Sequence, residues 1–119
     1  MAENWPQEIR LSKDRRTLTV SFDNGEAYAL AAEYLRTHSP SAEVQGHSPE
    51  QRMTVSGKEK VEILKVEPVG NYAVKLVFGD MHDTGIFSWA YLRKLGQEFE
   101  TRWPAYLEEL AENGMKRSR

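Results

Sequence analysis

Thr17-Leu18-Thr19-Val20-Ser21-Phe22-Asp23-Asn24-Gly25-Glu26-Ala27-Tyr28-Ala29-Leu30 decides the fold class. Leu18, Val20 and Phe22 alternate with Thr17, Thr19 and Ser21, the period of a strand with one face buried. Asn24-Gly25 then breaks the pattern. This pair suits a tight hairpin whose two central residues take positive φ. Tyr28 and Leu30 resume the alternation as the return strand. Upstream, Ile9 and Leu11 form a further short strand, and Lys13-Asp14-Arg15-Arg16 is the turn that joins it. The opening third is therefore read as a three-stranded antiparallel meander.

Beyond it, Ala31–Arg36 reads as a short helix. It must stop before Ser39-Pro40, because a residue preceding proline is pushed out of helical geometry. Residues 38–57 are rich in Ser, Pro, Gly, Gln and Glu and lack an apolar period, so they read as a long loop. Val61–Val69 reads as a strand interrupted by Pro68, Gly70-Asn71 as a turn, and Tyr72–Phe78 as the partner strand. Residues 79–85 form a loop. Thr84 or Ser88 then caps a helix on which Phe87, Tyr91 and Leu95 share one stripe and Leu92, Leu95 and Phe99 another. Gly96 is expected to weaken or end that helix. A last helix is expected to begin near Pro104, carry Trp103, Leu107 and Leu110, and stop at Asn113-Gly114. The expected fold is α+β: an antiparallel sheet of about five strands built from hairpins, with helices packed largely on one side. One domain spans residues 1–119, with its core at about 5–110.

The chain of 119 residues has no cysteine, so disulfides, thiolate ligands and cysteine nucleophiles are excluded. No apolar run approaches the ~20 residues of a membrane span. The N-terminus lacks the basic head and apolar core of a signal peptide. These features predict a cytoplasmic protein with no membrane partner. A net charge of −2 gives no general attraction for nucleic acid. Arg10, Lys13, Arg15 and Arg16, and the tail residues Lys116, Arg117 and Arg119, read as solvated charges.

Two segments carry a family resemblance. One is Leu35-Arg36-Thr37-His38-Ser39-Pro40-Ser41-Ala42-Glu43-Val44. The other is Asp80-Met81-His82-Asp83-Thr84-Gly85-Ile86-Phe87-Ser88-Trp89-Ala90-Tyr91-Leu92. With Trp5-Pro6, Phe22-Asp23-Asn24-Gly25 and Gly70–Val74, they resemble the DUF971 family, the small domain at the N-terminus of gamma-butyrobetaine hydroxylase. In zinc-bearing members three cysteines and one histidine hold the ion. Those positions correspond here to Ser39, Ser41, Val44 and His82, and only His82 could coordinate. The resemblance implies a stand-alone accessory domain. Relatives occur fused to hydroxylase domains and to P-loop iron–sulfur carriers, and in the hydroxylase the domain is associated with dimer contacts.

The resulting expectation is a non-catalytic interaction domain with no cofactor. It serves an unidentified protein partner from an iron–sulfur or oxygenase system, with homodimerisation left open. His82, Phe87 and Trp89 are the partner-binding candidates, within a surface made by the 38–57 loop and the 79–89 segment. Phe87 and Trp89 are two residues apart and cannot share a helical face, so one points inward and the other sits at a rim. A metal-binding subunit of an oxidoreductase is the alternative, with a replacement ligand set drawn from His38, Glu43, His47, Asp80, His82 and Asp83. A small-ligand-binding domain is a third. No nucleophile elbow, P-loop, dinucleotide fingerprint or iron-binding His-x-Asp/Glu pair is present, so no catalytic residue is assigned.

Overall fold

The computed structural model describes residues 5–40, 55–83 and 85–117. The elements are β1 (Pro6–Leu11), β2 (Thr17–Phe22), β3 (Ala27–Ala31), α1 (Ala32–Thr37), β4 (Ile63–Val69), β5 (Ala73–Phe78), β6 (Gly85–Ser88), α2 (Trp89–Gln97) and α3 (Phe99–Glu112). The α+β class is as expected, but the single sheet of about five strands is not. Two three-stranded antiparallel sheets form instead, ordered β1-β2-β3 and β4-β5-β6. The sixth strand is Gly85–Ser88, which the helical spacing of Phe87 with Tyr91 and Leu95 had absorbed into a helix. Ser88 ends that strand in extended geometry and caps α2, its hydroxyl accepting from the Tyr91 amide at 3.1 Å. The alternative cap, Thr84, lies outside the described residues.

The first meander follows the alternation of the sequence. Ile9 pairs with Val20 and Leu11 with Leu18, while Val20 pairs with Tyr28 and Leu18 with Leu30. All project to one face, and Leu18, Val20, Phe22 and Leu30 are buried there. Each such side chain contributes about 1.5–3 kcal/mol of burial. The turn differs in detail from the two-residue form. Phe22 and Glu26 close it, with the Glu26 carbonyl accepting from the Phe22 amide at 2.7 Å. Only Gly25, at φ +91°, is left-handed in the loop. The Asn24 side chain instead accepts from the Glu26 amide at 3.0 Å, which suits a three-residue loop ending in a left-handed glycine.

The second sheet buries Val74, Leu76 and Phe78 from β5 with Ile63 from β4 and Phe87 from β6. Pro68 is tolerated because β4 is an edge strand. Two bonds stitch the sheets together: the Ile63 amide donates to the Arg15 carbonyl at 2.7 Å, and the Arg15 guanidinium donates to the Leu64 carbonyl at 2.9 Å. Helix α2 packs against strands of both sheets, β3 and β6.

Helix α3 begins at Phe99, five residues before the expected start, and carries Pro104 inside. The sequence offered proline as a start signal, but the aromatic packing of Phe99 and Trp103 on Tyr34 pulls the earlier turn into the helix. Gly96 likewise does not break α2. A Cβ at this position would lie 2.6–2.7 Å from Tyr28 ring carbons. The residue is glycine because the Tyr28 ring rests on the helix backbone. Gly96→Ala should therefore destabilise by about 1–3 kcal/mol, despite alanine's better helix propensity. Urea unfolding of the two proteins measures it, and a stabilised variant would contradict the packing argument.

The β2–β3 turn is also clamped to α2. Arg93 Nε and Nη2 donate to the two Glu26 carboxylate oxygens, both at 2.8 Å. The Arg93 hydrogen bond, followed by that of the Tyr28 hydroxyl, lowers the Glu26 pKa from 4.5 to about 2. A depressed carboxylate contributes stability above its unfolded pKa and loses it as pH falls through the folded value. The melting-temperature gap between the parent and Glu26→Gln should be open at pH 5–7 and narrow as pH falls from 4.5 to about 2. A gap independent of pH would assign the loss to something other than this pair.

Candidate functional site

The corner to which the resemblance points is built by the end of α1 and the β5–β6 loop. Helix α1 is six residues long and is terminated by its own side chains. The Thr37 hydroxyl donates to the Glu33 carbonyl at 2.9 Å. His38 Nδ1 lies 3.0 Å from the Tyr34 carbonyl. A carbonyl only accepts, so Nδ1 carries the proton. The His38 ring packs against Tyr34 and Tyr106, with centroids 4.7 and 5.9 Å away. His38 thus closes the helix and fills the core.

Ser39, the next residue, is fully buried and reaches across to the other sheet. Its Oγ lies 3.0 Å from His82 Nε2. His82 is itself only 4 % exposed and packs against Phe78 at 6.0 Å. Gly85 makes room for the pair. A Cβ there would stand 2.7 Å from Ser39 Oγ and 3.0 Å from the Phe87 ring.

The turn that delivers His82 is held from both flanks. The Phe78 amide donates to the His82 carbonyl at 2.9 Å, and the Met81 amide to the Phe78 carbonyl at 3.2 Å. Met81 takes φ +73°, unusual for a residue with a side chain. Its side chain is 89 % exposed. Asp80 accepts from Arg36 Nε at 2.8 Å and Lys58 Nζ at 2.6 Å, and its second oxygen accepts from the His82 amide at 3.3 Å. Burial pushes the Asp80 pKa up, but the two cations and their hydrogen bonds outweigh this and hold it below the usual carboxylate value.

Of the family's four ligand positions, Ser39 and His82 meet. Ser41 and Val44 lie outside the described residues, as do Glu43, His47 and most of the 38–57 loop. Among the described residues, no three His, Asp or Glu side chains converge as a metal site would require. Asp80 is engaged with Arg36 and Lys58, and His38 with Tyr34. Of the partner-contact candidates, His82 and Phe87 are buried, Phe87 being the inward-pointing member of the Phe87/Trp89 pair on a strand whose inner face it occupies. Trp89 is half-buried at the start of α2, its indole N–H donating to the Asn71 carbonyl at 2.9 Å. It lines a cleft of about 630 Å³ between β1 and β4, with Ile9, Leu11, Leu64, Val66 and Pro68. No described helix is long and apolar enough to cross a membrane.

This corner joins α1 to the β5–β6 loop at the places where the sequence resemblance is concentrated. The gamma-butyrobetaine hydroxylase-like, N-terminal family matches residues 9–93. The chain belongs to that family. Two solution NMR structures are 45 % and 43 % identical to it, covering 98 % and 97 % of this chain and 92 % and 86 % of theirs, each with a TM-score of 0.83. A crystal structure of a DUF971 family protein of unknown function from Acidithiobacillus ferrooxidans is 42 % identical. It covers 76 % of this chain and 91 % of its own, with a TM-score of 0.63. No curated protein matches.

Sequence reasoning missed three features. The Asp80–Arg36–Lys58 cluster joins residues up to 44 positions apart and has no local pattern. Gly85 lies in a motif quoted for its neighbours, and the close approach of Ser39 and the Phe87 ring explains it. Arg117, read as a solvated tail charge, instead pairs with buried Glu33.

Proposed function

We propose that this domain is a metal-free accessory module that acts by binding another protein, without catalysis of its own. The carrying observation is the use made of His82. The one family ligand position that keeps a metal-binding side chain is buried and hydrogen-bonded to Ser39. The corner is held by this bond, by Asp80 and by packing, so an ion is not needed to close it. The same loop presents Met81 outward, and Ile86 on the next strand is 45 % exposed. Exposed apolar side chains on a held scaffold suit partner contact better than chemistry. Family context directs the search for that partner to P-loop iron–sulfur carriers and oxygenases of the same cell, and this rests on analogy between relatives.

The decisive experiment is elemental analysis of untagged protein purified without chelator, with melts in the presence and absence of EDTA. The expected result is substoichiometric metal and an unchanged melting temperature. A stoichiometric metal whose removal lowers the melt, with both effects lost in His82→Ala, would overturn the reading, since a ligand bound to the native state must stabilise it. The interaction itself is read by titrating candidate carriers or oxygenases against the parent and Ile86→Asp. Binding that the charge weakens is expected, and binding to none of these candidates by the parent counts against this partner class.

A further inference from the structure

The segment after α3 carries a second site, apart from the Ser39–His82 pair. Helix α3 ends at Glu112 with Asn113 as its cap, and the chain turns back at Gly114, φ +64°. It then runs beside residues 57–59. The Gly57 amide donates to the Lys116 carbonyl and the Glu59 amide to the Arg117 carbonyl, both at 3.1 Å. This strap places Arg117 over α1. Its Nε and Nη2 donate to the two Glu33 carboxylate oxygens at 3.1 and 2.9 Å. Its guanidinium carbon stands 5.4 Å from the centre of a Trp103 ring. Glu33 is 5 % exposed, whereas the Arg117 side chain is 43 % exposed. The socket is thus part of the folded body, and its occupant comes from a terminal strap open to solvent.

A buried carboxylate matched by a planar fork and an aromatic face is selective chemistry. A guanidinium satisfies both oxygens at once and lies over the ring, while an ammonium is a point charge that cannot pair bidentately. We propose that Glu33 and Trp103 form a guanidinium-binding socket which the chain's own Arg117 fills in cis, and which accepts the arginine side chain of a partner peptide when the strap is displaced. The strap acts as a resident competitor. It tunes affinity for an arginine-bearing segment through the fraction of molecules in which it has lifted. The site stands independently of the partner reading above, because it rests on a bound group supplied by the chain itself.

Chemical rescue tests it. Arg117→Ala, and the double variant with Arg119→Ala to prevent substitution by the neighbouring arginine, should melt below the parent. Methylguanidinium should then raise the variants' melting temperature saturably and recover about half the loss before its general denaturing action takes over. Methylammonium should recover none. The parent, its socket filled, should only be destabilised by methylguanidinium. Arg117→Lys keeps the charge and guards against a variant too unstable to study. It should remain below the parent and respond to methylguanidinium in the same direction. An acetylated arginine-containing peptide should bind the Arg117→Ala protein more tightly than the parent and fail to bind once Glu33→Gln is added. The proposal is overturned if methylguanidinium gives no saturable gain, if methylammonium serves equally, or if lysine at 117 restores full stability.

Discussion

Asp80→Ala should lower stability by about 3–5 kcal/mol, because it strips the partner from two largely buried cations. The Arg36 and Lys58 side chains are 12 % and 16 % exposed, and that of Asp80 is 12 % exposed. Little water is available to solvate the charges left behind. Among the described residues Arg36 Nη1 has no hydrogen-bond partner, and the Asp80 contact at Nε is the ion pair the guanidinium makes there. The second Asp80 oxygen also holds the His82 amide, and its loss loosens the turn that aims His82 at Ser39. Asp80→Asn separates these roles. It keeps an acceptor for the amide but removes the charge, and should fall between parent and alanine. Denaturant unfolding at neutral pH measures both variants. A loss below about 1 kcal/mol for alanine would mean that the pairs behave as exposed surface bridges.

The sign of the effect in acid follows from the lowered pKa. Asp80 contributes stability above its unfolded value of 3.8 and loses it as pH falls through the lower folded value. The parent and Asp80→Ala should converge in strong acid. Glu26, at the β2–β3 turn, behaves the same way, so the two together steepen the acid limb of the stability profile.

What was legible in the sequence depended on the range of the interaction. The first meander was readable because alternation and the Asn-Gly turn act over two to five residues, and the register follows from them. Strand β6 was not. Four residues are too few to establish a period, and Phe87 happens to stand four before Tyr91. The start of α3 was misplaced because proline is a strong local signal, whereas the packing of Phe99 and Trp103 on Tyr34 is long-range. At the candidate corner, the resemblance picked out Ser39 and His82, and the structure brings them within 3.0 Å. It could not supply what replaces the missing ligands. The clamp on Asp80 and the space left by Gly85 arise from contacts with Arg36, Lys58 and Ser39, all more than 20 residues away in sequence, and have no linear signature.

Tyr34 shows how one residue ties these levels together, and its loss should rival that of Asp80. It is wholly buried. Its ring meets Phe99 edge-on at 5.1 Å, Trp103 at 6.1 Å and His38 at 4.7 Å. Its hydroxyl donates to the Leu95 carbonyl at 2.7 Å. That carbonyl is one of the last four of α2, which have no partner inside the helix, so the phenol completes a buried helix end. Tyr34→Ala removes ring and hydroxyl together and should destabilise by about 3–5 kcal/mol. Tyr34→Phe keeps the ring but leaves the carbonyl unpaired, and should cost about 1–3 kcal/mol. Burial pushes the phenol's pKa up from 10 to about 12. Its contribution is therefore complete below pH 10 and is lost as pH rises toward about 12. The parent should converge on Tyr34→Phe over that range. Equal losses for phenylalanine and alanine would place the whole effect in the hydroxyl. A phenylalanine variant as stable as the parent would mean that the Leu95 carbonyl finds another donor, and that the ring alone joins α1 to the helical layer.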